Sequence, residues 1–380
     1  MKKKILIVTE RRADFSKFRP ILYEIQKSKK LDYDLVVTGS HLLKENGMTI
    51  NEIKKDGFKI SEKFSMYPKI RTNSGAEMVL GLGKSIIYLT KILQKIKPDI
   101  ILAGFDIGTN LAVAIAGSHM NILVAHLEGG EITGTIDEPI RHATSKFSHI
   151  HFVTNVDSKN RLMKMGENPE FIYVVGNPSL DLIKRTKNIP INLLEEKFSI
   201  NLKRPLFLIL QHTVTSEVDQ IENYVKRTID AIKELGVQSI FIYGNADAGS
   251  SKILNLIKKS KIKQFPTLSF AEYVNLLKNC TALVGNSSSG IMEAPFLKIP
   301  SVNIGTRQKG RLHSESVIDV AYDKNEIKQA LAKILNDKKF NDKLKKPSII
   351  YGDGQSSKKI IKILENLDIK NIPIQKRWCD

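Results

Sequence analysis

Short, nearly continuous runs of Val, Ile and Leu recur along this chain, and each is followed by a longer stretch of helical periodicity. The runs are ILIVT (5–9), YDLVVTG (33–39), DIILAG (99–104), NILVAHLE (121–128), HIHFVTN (149–155), FIYVVG (171–176), LFLILQH (206–212), SIFIYG (239–244), TALVGN (281–286) and SVNIG (301–305). Helical patterns fall at 16–29, 75–97, 108–118, 141–147, 157–166, 216–235, 250–260, 270–278, 289–297 and 324–337, with a last one in SSKKIIKILENL (356–367). Strands that lack polar alternation are buried on both faces, and intervening helices cover a parallel sheet. The expected fold class is therefore α/β, doubly wound. A chain of 380 residues exceeds one ordinary core, so two domains are expected. A break falls in VVGNPSLDLIKRTKNIPINL (174–193), where a strand ends in Gly-Asn-Pro and a polar linker leads to a second α/β set at Leu206. The division is read as Rossmann-like domains over 1–178 and 179–359, facing each other across a cleft.

Charge is the next constraint. The formal net charge is +19 and the pI about 9.6, which admits nucleic acid, anionic membranes and phosphorylated ligands. The lysines, however, alternate with Ile and Leu at helical spacing, as in SKILNLIKKSKIK (251–263), and read as solvated faces. Zinc-finger spacing, an RNP-type aromatic strand and basic runs with interleaved aromatics are all missing, so no nucleic-acid partner is expected. No apolar run reaches 18 residues, so no membrane partner is expected either. MKKKILIVTE has an apolar core of four residues and no cleavage site, and reads as a first strand. Cys280 and Cys379 sit in unrelated contexts, which fits a reducing, cytoplasmic location.

Ligands of doubly wound sheets bind beyond the carboxyl ends of the strands, so the residues there carry the functional reading. TERRADFSKF (9–18) supplies Arg11, Arg12 and Lys17 where a helix is expected near Ser16, a phosphate-binding arrangement or simply a basic helix start. The second run delivers His41, which is equally readable as structural. Asp106 follows DIILAG as an acid or as a helix N-cap. The loop HLEGGEITGTIDEPIRHA (126–143) brings His126, Glu128, Asp137 and Glu138. Several acids at one sheet edge repel one another, an arrangement used where protons move at carbon or oxygen. In the second half, His212, then Asn245 and Asp247, end strands. GNSSSGIMEAP (285–295) runs a strand through small residues into a helix carrying Glu293, and Arg307 or Arg311 follows the last strand. Free N–H groups at that helix start would suit phosphate; a serine-capped helix is the plain alternative.

The motifs RADFSK (12–17), SHLLKENG (40–47), HLEGGEITGTIDEPIRHA (126–143), GNSSSGIMEAP (285–295) and NIGTRQKGR (303–311) span nearly the whole chain. Through them the sequence resembles the hydrolysing UDP-N-acetylglucosamine 2-epimerases of the bacterial sialic-acid pathway, and the epimerase half of the animal bifunctional epimerase/kinase. The resemblance implies a glycosyltransferase-B-like fold whose C-terminal helix and tail, about 360–380, cross back to the first domain. It implies conversion of UDP-GlcNAc and water to N-acetylmannosamine and UDP through a 2-acetamidoglucal, with no metal or other cofactor. Carried over by position, nucleotide and diphosphate would meet Arg12, Ser16, His212, Asn245, Ser287, Ser288, Gly290, Glu293 and Arg307. The sugar would meet Asp14, Lys17, His41, Glu128, Asp137, Glu138 and Arg141. Asp106, Glu128 and Asp137 are the acid/base candidates, and His212 is placed beside the leaving phosphate. Position 138 is Glu where many relatives have Asp, which leaves open UDP-2,4-diacetamido-2,4,6-trideoxyglucose, the legionaminic-acid branch, and a GDP-linked sugar. A glycosyltransferase and a nucleotide-sugar sensor are the competing readings. A homodimer or homotetramer is the assembly the resemblance implies.

Overall fold

A computed structural model describes residues 2–68, 74–243, 250–265 and 268–380. They gather into two compact units. Unit 1 takes Met1–Glu131, Ile136–Lys184 and Tyr351–Asp380, and unit 2 takes Ile132–Thr135 and Arg185–Ile350.

Unit 1 is built on seven strands, β1 (Lys3–Thr9), β2 (Leu31–Val37), β3 (Ile60–Lys63), β4 (Ile100–Gly104), β5 (Leu123–Leu127), β6 (Ile150–Val153) and β7 (Ile172–Val174). They lie in the order β3-β2-β1-β4-β5-β6-β7, and every pairing is parallel. The connecting helices are α1 (Arg12–Lys27), α2 (Ile50–Lys55), α3 (Gly75–Ile96), α4 (Gly108–His119), α5 (Asp137–Lys146), α6 (Val156–Lys164) and α7 (Pro178–Arg185). The two faces of β1 explain its unbroken apolar sequence. Ile5 and Ile7 pack with Phe18, Ile21 and Leu22 of α1, while Leu6 and Val8 join Leu89 of α3 and Val113 of α4.

Unit 2 repeats the plan with six parallel strands in the order β10-β9-β8-β11-β12-β13. These are β8 (Leu206–Leu210), β9 (Gln238–Ile242), β10 (Lys263–Phe265), β11 (Ala282–Gly285), β12 (Ser301–Ile304) and β13 (Val317–Val320). Its helices are α8 (Ile191–Phe198), α9 (Ile221–Leu235), α10 (Ser250–Ser260), α11 (Phe270–Asn279), α12 (Ser289–Phe296), α13 (Lys324–Asn336) and α14 (Lys338–Lys343). The last helix, α15 (Ser356–Asn366), belongs to unit 1, where Ile360 and Leu364 enter the core with Ile21 and Ile25 of α1.

The boundaries between the units differ from the sequence reading. The division falls after Lys184 rather than 178, and the chain returns to unit 1 at Tyr351 rather than near 360. Asp181 of α7 supplies the reason: it is buried and accepts from Ser356 N at 2.9 Å and Ser357 N at 2.7 Å. That carboxylate caps α15 and ties α7 to it within unit 1. Three strands, β3, β10 and β13, were not anticipated. All three are sheet edges, where one open side removes the demand for a continuous apolar run.

Candidate active site

Strands β4 and β5 leave the unit 1 sheet through residues with left-handed backbone, Phe105 at φ 68° and Glu128 at φ 61°. Neither is glycine, so each turn carries strain of about 1–3 kcal/mol. The two turns are coupled. Phe105 N donates to Leu127 O and Glu128 N to Phe152 O, both at 2.9 Å. His126 Nε2–H donates to Phe105 O at 3.0 Å, with Ser145 Oγ 3.0 Å from its Nδ1. Burial drives this imidazole down to about 3, so it is neutral.

Glu128 is 2% exposed. Its Oε2 accepts from Lys17 Nζ at 2.7 Å. Its Oε1 is buried with no hydrogen-bond partner. The Lys17 ammonium also lies 4.3 Å from the centroid of the Phe105 ring. A buried carboxylate oxygen without a donor is costly, and here it sits on strained backbone. The neighbouring acids are satisfied differently. Asp106 is not the cap of α4, because Ile107 takes that position. Instead Asp106 pairs with Arg141, whose side chain is fully buried and whose Nη1 donates to Glu131 O at 3.0 Å.

Asp137 and Glu138 open α5, which begins earlier than the expected 141, so both lie in a first helical turn that favours acids. Glu138 Oε1 is 3.7 Å from His142 Nε2. Helix α1 likewise begins at Arg12 rather than near Ser16. Arg12 and Lys17 are half-buried there, and Ser16 Oγ donates to Ala13 O at 2.7 Å. Asp14 and His41 lie inside the fold. Asp14 accepts from Thr9 Oγ1 and Glu10 N at 2.8 Å and from Arg11 N at 3.0 Å. Since Thr9 gives its proton to Asp14, His41 Nε2–H donates to Thr9 Oγ1 at 3.0 Å and Nδ1 accepts from Thr49 at 2.7 Å. Burial pushes Asp14 up to about 6 and His41 down to about 3.

Two acids in the same motifs were passed over. Glu10 accepts from Tyr67 Oη at 3.2 Å and from Thr109 N at 3.3 Å. Glu131 accepts on one oxygen from Thr154, from Asn155 Nδ2 at 2.8 Å and from Ser158 Oγ at 2.8 Å. Their position beside the acids chosen was the only signal available. Two of the loop glycines are required by packing. A Cβ on Gly129 would meet His126 and Ser145 at 2.9 Å, and Gly130, at φ 76°, would meet Ser158 O at 2.3 Å. They let the loop lie against its own protein.

In unit 2, Asn286 joins the ends of β8 and β11: its Oδ1 accepts from His212 N at 2.7 Å and its Nδ2 donates to His212 O at 2.9 Å. Asn286 O accepts from Arg307 Nη1 at 3.1 Å and from Gln308 Nε2 at 2.9 Å. His212, Ser287, Ser288 and Arg307 are thereby gathered at one sheet edge. Gly285, at φ 130°, lets the chain pass Leu210 O, which a Cβ would approach to 2.0 Å. Glu293 Oε2 accepts from Ser289 Oγ at 2.5 Å, and Ser289 also contacts Tyr273 Oη.

The start of α12 differs from the expectation of free amides. Ser289 N donates to Ser287 Oγ at 3.3 Å, Gly290 N to Ser287 O, and Ile291 N and Met292 N to Ser288 O, each of the last three at 3.0 Å. Asn245 and Asp247 lie outside the described residues. Among the described residues, no group of three or more His, Cys, Asp or Glu is placed to hold a metal ion, and no helix is long and apolar enough to cross a membrane.

The carboxyl edges of the two parallel sheets thus carry acids in one unit and His, Ser and Arg in the other. The sequence model for UDP-N-acetylglucosamine 2-epimerase matches residues 23–365. The chain belongs to the UDP-N-acetylglucosamine 2-epimerase family. Among its relatives in that family is a UDP-N,N'-diacetylbacillosamine 2-epimerase (hydrolyzing) of Legionella pneumophila, 36% identical over 97% of each chain. A UDP-N-acetylglucosamine 2-epimerase of Neisseria meningitidis is 33% identical over 100% of this chain and 99% of its own. The fold agrees with a solved family member, the Neisseria meningitidis UDP-GlcNAc 2-epimerase bound to UDP-GlcNAc. It matches with a TM-score of 0.82 at 22% identity, over 95% of this chain and 99% of that one. The glycosyltransferase-B-like architecture inferred from sequence is thus the family's own.

Proposed function

We propose that this family member is a hydrolysing 2-epimerase, converting UDP-GlcNAc and water to N-acetylmannosamine and UDP. The first step takes the proton from C2 of the sugar and breaks the C1–O bond to UDP, leaving a 2-acetamidoglucal. Water then returns a proton to C2 on the opposite face and a hydroxyl to C1. The observation that carries the proposal is Glu128, a buried carboxylate on strained backbone with one oxygen lacking a protein partner. Lys17 on its other oxygen fixes its orientation. Glu128 is accordingly assigned to proton transfer at the sugar. Asp106, bound to the buried Arg141, and Asp137 at the head of α5 are the acids assigned to the remaining transfers. The edge of unit 2 is assigned to the nucleotide. His212 and Arg307 there stabilise charge on the departing diphosphate, while Ser287, Ser288 and Glu293 bind its nucleoside and phosphate oxygens.

A second substrate is favoured by a specific observation: the 36%-identical relative is named for UDP-N,N'-diacetylbacillosamine, a 2,4-diacetamido-2,4,6-trideoxyglucose. It differs from GlcNAc at C4 and C6. The test is product analysis by NMR with each nucleotide sugar in turn. Free UDP with a 2-epimerised free sugar supports hydrolysis, and the faster substrate identifies the branch. An epimer still joined to UDP would refute the hydrolysing reading, and inertness toward both would favour a transferase.

A further inference from the structure

Residues 372–379 run back over unit 1, and their contacts converge on the far end of the helix that carries the candidate acids. Lys376 Nζ donates to Ser145 O at 3.1 Å and Lys146 O at 3.0 Å, two carbonyls in the last turn of α5, and to the Glu167 carboxylate. Ser145 O also accepts from Ser148 N at 3.0 Å, and both carbonyls lie at the negative end of the helix dipole, so an ammonium there is favourable. Glu167 is 2% exposed and also accepts from His151 Nε2 at 2.9 Å, with Lys146 Nζ 2.8 Å away. Burial opposes its charge, yet these partners hold it at about 2. It is therefore an ionised anchor for the ammonium.

The segment is pinned on both sides of Lys376. His149 Nε2 donates to Ile374 O at 2.9 Å, Cys379 N donates to Gly166 O at 3.1 Å, and Ile372 enters the core. Trp378 covers Gly166 so closely that a Cβ there would lie 2.4 Å from the indole, and Lys146 Nζ is 4.9 Å from that ring.

We infer that Lys376 is a positioning residue for the reaction proposed above, locking α5 so that Asp137, Glu138 and Arg141 hold their places. The catalytic part of this inference rests on that functional reading; the structural part rests on unit 1 alone. Helix α5 has ten residues, so its ends are about 14 Å apart and Lys376 does not touch a substrate bound near Asp137. It acts through the helix. Arg141 reaches Asp106 from the middle of α5, and Ser145 contacts His126, which supports the Phe105 turn. A loosened last turn is thus felt at both strand ends that carry the acids.

The experiment pairs hydrogen exchange with kinetics on the full-length Lys376→Met protein, which keeps the apolar stem and removes the ammonium. Exchange at residues 137–146 should rise about tenfold or more, with that in α3 unchanged. The kcat should fall about tenfold or more because the acids are displaced, with KM within about twofold. Lys376→Arg should restore most of both. Unchanged exchange in α5 overturns the inference, and so does raised exchange with unchanged kcat. If Lys376→Met does not fold, Lys376→Leu, which also lacks any donor to the carbonyls, takes its place with the same criteria. A wild-type protein inert toward nucleotide sugars would refute the functional reading, and the exchange arm would still decide whether Lys376 holds α5.

Discussion

Glu128 combines three properties that no neighbouring acid shares: left-handed backbone, an ion pair to Lys17 and a buried oxygen without a donor. Glu128→Gln should therefore lower kcat by about 10²–10⁴-fold while UDP affinity, measured by calorimetry, stays within about threefold. The buried histidines give a second prediction. His41 and His126 are held near 3, well below their ordinary 6.5, so the unfolded chain binds more protons as pH falls below 6.5. Stability is lost in that direction at up to about 1.4 kcal/mol per pH unit for each. Asp14, raised from 3.8 to about 6, takes up its proton first in the folded state and offsets part of the loss below pH 6. Between pH 7 and 5 the three groups predict a net loss of about 2–3 kcal/mol. Denaturant titrations across that range check it, and His126→Gln should flatten the slope. That acids cluster at one sheet edge was legible in the sequence, since each follows an apolar run. Which acid lacks a partner was not. Glu10 and Glu131 have the same chemistry as Glu128, but their donors Tyr67, Thr109, Thr154 and Ser158 come from elements distant in sequence.

At the scale of elements, the central strands were readable because burial on both faces leaves an unbroken apolar run. The edge strands β3, β10 and β13 were not, and neither were the first turns of α1 and α5, where charged residues occupy helical positions. Those two turns matter because they convert Arg12, Asp137 and Glu138 from loop residues into helix residues with fixed spacing. The glycine loop between β5 and α5 offers a test of packing. Gly130→Ala adds a methyl at φ 76° and brings it against Ser158 O, so it should destabilise by at least about 2 kcal/mol. Gly57→Ala, also at positive φ but with open space around it, should cost only the backbone term, about 1 kcal/mol. Denaturant midpoints of the two variants separate the clash from the conformational preference.

For the whole molecule, the sequence pointed to two α/β sets but misplaced their limits, because the capping of α15 by Asp181 joins residues far apart in the chain. The high positive charge was compatible with several partner classes and did not choose among them. The central claim is that unit 1 removes and returns a proton at C2 of a sugar whose nucleotide departs. It is tested most directly by running the reaction in D₂O, without added metal, and following it by proton NMR with wild type and Glu128→Gln in parallel. The account predicts free UDP and a free 2-epimerised sugar deuterated at C2 from the wild type, and loss of that product by at least about 10²-fold in the variant. A free sugar that retains protium at C2, or a variant as fast as the wild type, would contradict it.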